Sequence, residues 1–131
     1  MWSITRQYVY YFPQYSPDGA SLALLRWHGK DQGVSVYHFR DSSWTHVSDS
    51  LLFPHGWSAD GRYVYAQLPW RQPLFRLDVR ARRAPEHVLT APFREVECAP
   101  AGPRRPGAFV CVAFDFVSDV WMIDNFDSHG R

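Results

Sequence analysis

Six histidines, His28, His38, His46, His55, His87 and His129, are the first candidates for acid–base or metal chemistry in this 131-residue chain. None forms a His-x-x-x-His pair, so a metal centre would need three or four ligands gathered by the fold alone. No metal and no cofactor are expected. Gly56-Trp57-Ser58-Ala59-Asp60 approaches a nucleophile elbow, in which G-x-S-x-G on a strand-to-helix turn thrusts the serine oxygen outward. Its second glycine comes one place late, at Gly61, and no helical period follows, so Ser58 reads as a turn residue. Asp18, Asp41, Asp60, Asp78 and Asp124 recur where a turn or strand end needs a local acceptor, which makes their use structural rather than catalytic. Arg80, Arg82 and Arg83, with Arg104 and Arg105, are the densest positive charge. They would suit a phosphate or an acidic partner, but read as solvated loops. The chain is therefore expected not to be an enzyme. Binding is the better prospect, and the residues for it are Trp27, His28, Trp70 and Arg71. Both tryptophans fall at the end of the second strand of a repeated unit, which would put them and their neighbours on one rim, where exposed aromatics can anchor a partner. Packing between units accounts for them almost as well.

The repeated unit is legible as Trp57-Ser58-Ala59-Asp60-Gly61-Arg62-Tyr63-Val64-Tyr65, then Leu74-Phe75-Arg76-Leu77-Asp78. A strand runs into an Asp-Gly turn, an alternating strand leaves it, and a third strand ends on an acid. The pattern occurs earlier as Tyr15-Ser16-Pro17-Asp18-Gly19-Ala20-Ser21-Leu22-Ala23 with Val36-Tyr37-His38-Phe39-Arg40-Asp41. A worn copy follows, Cys98-Ala99-Pro100-Ala101-Gly102 with Val120-Trp121-Met122-Ile123-Asp124. Gly19, Gly61 and Gly102 fall at intervals of 42 and 41 residues. That is the period of β-propeller blades. Tyr8 to Phe12 should open the first unit, Ser21 to Trp27 and Val34 to Arg40 follow, and Trp44 to Val47 makes a short outer strand. In the second unit Leu51 to Phe53 lead in, and Arg62 to Leu68, Leu74 to Val79 and Glu86 to Leu89 are strands, with a loop from Pro69 to Pro73. The third should use Phe93 to Cys98, Ala108 to Phe114 and Val117 to Ile123. Met1 to Thr5 would be the tail of a preceding unit.

These residues resemble the repeats of TolB-type, WD-like β-propellers, whose blades carry a Ser-Pro-Asp-Gly turn. Ser16-Pro17-Asp18-Gly19 has that turn in full, Ser58-Ala59-Asp60-Gly61 has it with one change, and Ala99-Pro100-Ala101-Gly102 keeps only Pro and Gly. The resemblance implies an all-β fold: a partial propeller of about three four-stranded antiparallel blades, near 8–49, 50–91 and 92–127, in a single domain spanning 1–131. It also implies a non-catalytic interaction or sensing module, the carboxyl-terminal part of a longer bacterial regulator or scaffold protein. The alternative it offers is the gating propeller of a prolyl-oligopeptidase-type serine peptidase. Expected partners are a protein or a small ligand on the rim, the remaining blades of a longer propeller, or further copies of the chain.

Composition is consistent with a folded, sheet-rich domain. Hydrophobic residues make up 46% and aromatics 17%, too apolar for disorder. A formal net charge of +1 gives no electrostatic pull toward nucleic acid or an anionic membrane. No apolar run nears the roughly 20 residues that span a bilayer, and Met1 to Arg6 lack the plan of a secretory signal. A cytoplasmic location is expected, or a periplasmic one if the true start lies upstream. On that basis Cys98 and Cys111, although able to face each other across a hairpin, are expected to be free thiols in the core.

Overall fold

The structure is a computed structural model, and it describes residues 9–27, 29–68, 71–92 and 94–114. Among them are ten strands and no helix: β1 (Val9–Tyr15), β2 (Ser21–Trp27), β3 (Gly33–His38), β4 (Ser43–Ser48), β5 (Phe53–Trp57), β6 (Tyr63–Leu68), β7 (Arg71–Asp78), β8 (Glu86–Leu89), β9 (Glu95–Pro100) and β10 (Phe109–Phe114). They form three antiparallel sheets in chain order: β1 to β4, β5 to β8, and the pair β9 and β10. None of the sheets closes on itself. The expected preceding tail and the strand through Val117 to Ile123 lie outside the described residues.

The first two sheets owe their shape to a shared turn. Ser16 Oγ donates to Asp18 Oδ1 at 2.6 Å and accepts from the Ser21 amide at 3.0 Å, while Asp18 Oδ1 also accepts from Ala20 N at 2.9 Å. Ser58 and Asp60 repeat this set, with Ser58 Oγ to Asp60 at 2.6 Å, Tyr63 N to Ser58 Oγ at 2.9 Å and Arg62 N to Asp60 at 3.1 Å. Gly19 and Gly61 close the turns at φ 71° and 70°, a region that side chains resist. The backbone bonds Ser16 N to Ser21 O (2.9 Å) and Ser58 N to Tyr63 O (2.8 Å) make the two hairpins superimposable position by position.

That equivalence corrects two sequence alignments. The third hairpin closes with Ala101 N on Ala108 O at 2.9 Å, so Ala101 rather than Ala99 is the counterpart of Ser58, and the loop is two residues longer. Lacking a serine and an aspartate, it is held instead by Arg105 N to Gly102 O and Ala108 N to Arg105 O, both 3.1 Å. Similarly, Ser21 faces His38 where Tyr63 faces Asp78, so His38 is the counterpart of Asp78. Asp41 lies three residues later, where its carboxylate accepts from Ser43 N and Oγ at 3.1 and 2.7 Å.

Strand bounds also moved. β1 continues through Pro13 to Tyr15 by means of a bulge between Tyr11 and Gln14, and β7 begins at Arg71, through a cis Gln72–Pro73 peptide, where a loop was expected. The cysteines overturn the free-thiol expectation. Cys98 and Cys111 stand directly opposite across β9 and β10 and are joined as a disulfide. The expectation rested on compartment, whereas the register itself brings the two sulfurs together.

The sheets stack with their faces alternating between neighbours, because successive side chains on a strand point to opposite sides. Ala23, Val34, Val36 and Val47 of the first sheet pack with Trp57, Val64, Ala66 and Leu77 of the second, all essentially buried. Each buried valine or leucine among them stabilises the fold by about 1.5–3 kcal/mol, and each alanine by about 0.8 kcal/mol. Leu74, Tyr65, Val88 and Leu89 leave the second sheet on its other face to meet Val96, Cys98 and Phe109 of the third. The leading strands β1, β5 and β9 also neighbour one another, β5 touching both. Two buried polar side chains tie the stack. Trp57 Nε1 donates to Gln14 O at 2.8 Å, and Gln67, fully buried, donates to Val96 O at 2.6 Å and accepts from Cys98 N at 2.9 Å. Gly56 permits β5 to lie close to β9, since a Cβ there would come within 2.9 Å of the Pro100 ring.

Candidate functional site

Of the four residues singled out for binding, Trp27 and Arg71 are described, while His28 and Trp70 lie outside the described residues. Trp27 closes β2 and meets Tyr11 edge-on, ring centroids 6.4 Å apart. With Tyr11, Phe12 and Phe53 it lines a shallow apolar cleft of about 250 Å³. Phe12 and Phe53 stack at 4.3 Å. Arg71 opens β7, is exposed, and does not line that cleft. Its carbonyl accepts from Gln67 Nε2 at 3.3 Å.

Tyr11, Phe12 and Phe53, which line this cleft with Trp27, are not among the residues singled out from the sequence. A signal existed: Tyr10, Tyr11 and Phe12 are three consecutive aromatics, and a strand cannot point consecutive rings into one core. The β1 bulge resolves the conflict by turning Phe12 outward at φ 55°, a conformation uncommon for a side chain of this size. Tyr11 and Phe12 remain 42% and 41% exposed, so two large rings keep an open face while packing against Trp27 and Phe53.

At the opposite, turn-bearing end of the strands lie two further clefts. One, about 230 Å³, runs between the first two Asp-Gly turns, with Asp18, Asp60, His38 and Arg80 on its walls and Trp57 beneath. The other, about 320 Å³, runs between the second turn and the longer β9–β10 loop and includes Tyr63, Tyr65, Phe109 and Arg105.

The polar groups at this end are mostly committed to one another. Serine hydroxyls first, and backbone amides second, hold the Asp18 and Asp60 carboxyls below their usual range. For Asp78 burial pushes the other way, but the Arg80 and Ala81 amides and the Arg62 guanidinium, 3.1 Å away, prevail and lower it. Ser58 Oγ is occupied by Asp60 and the Tyr63 amide, as a turn hydroxyl is, and the elbow reading gains no base. Ser21 Oγ does face His38 Nδ1 at 3.0 Å, but His38 Nε2 is taken by Thr45 Oγ1 at 2.8 Å rather than oriented by a carboxylate. Arg82 pairs with Asp49 at 3.0 Å, and Arg76 pairs with Glu86 at 2.8 Å while lying over the Tyr63 ring.

His55 is different. It sits at the β5 bulge with its side chain only 10% exposed, Nδ1 3.4 Å from Glu97 Oε1, and Nε2 without a hydrogen-bond partner. Burial pushes its pKa down, against the pull of Glu97. Among the described residues no three His, Cys, Asp or Glu side chains gather as a metal site, and no helix is long and apolar enough to cross a membrane. Compared with known protein families, curated proteins and solved structures, the chain matches none, so its function has to be read from this geometry.

Proposed function

We propose that this chain is a non-catalytic interaction module, part of a TolB-type, WD-like β-propeller whose partner docks on the rim that carries Trp27. The observation behind this reading is the pair of outward aromatic rings at the β1 bulge. Phe12 holds a left-handed backbone and 41% exposure beside Trp27, where a purely structural strand would bury the ring. Strain kept at an exposed position is characteristic of binding surfaces, and aromatic anchors in shallow apolar clefts supply most of the energy of such contacts. The propeller assignment draws support from two antiparallel meanders related by an equivalent turn, from their stacking face to face, and from the adjacency of β1, β5 and β9. The module would then act with further blades, other copies, or the regulator or scaffold that contains it.

The test is comparative affinity capture from the source organism with wild-type protein and Trp27→Ala, followed by titration of the recovered partner. Loss of a central aromatic anchor should weaken binding by about 2 kcal/mol or more, near thirtyfold, with the far-ultraviolet circular dichroism unchanged. Equal binding by both proteins would remove this rim as the docking surface.

A further inference from the structure

We propose that the cleft between the β5–β6 turn and the β9–β10 loop binds the carboxylate of an aromatic acid, with Arg105 holding the acid and the ring lying against Tyr65 and Phe109. At about 320 Å³ it is at the small end of ligand sites, with room for one fused ring and its acid group. Its walls divide chemically. Tyr65 and Phe109 meet edge to face at 4.9 Å and give an aromatic lining onto which a planar ligand can pack, while the Tyr63 ring beside them is taken up by Arg76 and Arg62, 4.3 and 5.2 Å from its centre.

The cations explain the sign of the ligand. Arg76 is already neutralised by Glu86 at 2.8 Å. Arg105 is exposed and, among the described residues, has no carboxylate within ion-pair distance, so its planar fork of donors is open to a bidentate acid. Asp60, the one carboxylate on the lining, is engaged by Ser58 Oγ and the Arg62 amide and has Arg80 nearby as a compensating charge. The loop that carries Arg105 is fixed at its backbone, N to Gly102 O and O to Ala108 N, both 3.1 Å, while its side chain is not. Arg105 belongs to a loop two residues longer than the first two turns, and it lines the cleft from there.

Two sources share this chemistry, a free aromatic acid and the last residue of a peptide ending in an aromatic side chain. Indole-3-acetate, indole-3-acetamide and tryptamine would be titrated into isotope-labelled protein, together with Gly-Gly-Trp bearing a free or an amidated carboxyl group. The amides of Gly107 and Ala108 and the indole N–H of Trp57 serve as reporters. Indole-3-acetate should bind with a Kd on the order of 1 mM, the strength that roughly 13 non-hydrogen atoms give in a small site. The amide and the amine should bind about tenfold more weakly or worse, and Arg105→Gln should abolish the preference for the acid while the rest of the spectrum is retained. Tighter binding of the free-carboxyl tripeptide than of indole-3-acetate assigns the site to a chain end, and the reverse order assigns it to a free acid. Equal binding of acid and amide, unchanged affinity in Arg105→Gln, or no shift of the reporters at about 10 mM acid would overturn the proposal.

Discussion

His55 is the side chain whose surroundings make the clearest solution prediction. Its Nε2 is buried without a partner, and burial depresses its pKa relative to the ordinary value of 6.5. Above that value the imidazole is neutral in both the folded and the unfolded chain and contributes no pH dependence. Below it the unfolded chain takes up a proton that the folded chain resists, so stability should decline from pH 6.5 down to the folded-state pKa. Urea melts of wild type and His55→Leu between pH 7.5 and about 5 would check this, and the variant should lose that slope. Below about pH 4 a second decline is expected in both proteins, as the low-pKa carboxylates of Asp18 and Asp60 protonate and release their turns.

Among the elements, the third sheet is the most dependent on a local constraint. Two strands alone are marginal in water. β9 and β10 are held by the Cys98–Cys111 bridge, by Gln67 along the backbone of β9, and by the apolar contacts of Val96 and Phe109. Reduction, or the Cys98→Ser variant, should cost about 3 kcal/mol, the loop-closure value for a bridge spanning 13 residues. Hydrogen exchange should show the loss first at β9 and β10. This sheet also shows where sequence reading succeeds and where it stops. β2, β6 and β8 were legible nearly to the residue, because alternation and Asp-Gly punctuation are local signals. That Cys98 and Cys111 could face each other was legible too, but their bond was not, because the free-thiol expectation was argued from compartment and the strand register that seats the two sulfurs opposite each other is a property of the fold. Of the apolar cleft, the place of Trp27 at the end of β2 was legible from the phase of that strand. Phe12 was not, because a bulge reverses the direction its position would otherwise imply.

At the level of the whole molecule, Trp57 links the first two sheets, and its indole also borders both turn-end clefts. Trp57→Phe would keep most of the apolar volume but leave Gln14 O without its 2.8 Å donor. The expected cost is about 1 kcal/mol, read from the urea midpoint at unchanged slope, because a part-buried carbonyl would lose its donor. Leu22, Val64 and Phe109 occupy the same register position, each opposite the last residue of its leading strand. Val64 faces the first sheet and Phe109 faces the second. The contact therefore has a front and a back, and neither side is used up by being its own mirror image. A gene encoding such a contact can grow by tandem duplication of about 40 codons, each new copy inheriting a seat for the next. Nothing in the pairing itself sets the count, so the number of copies must be decided by the angle between neighbours and by whatever finally occupies the two ends.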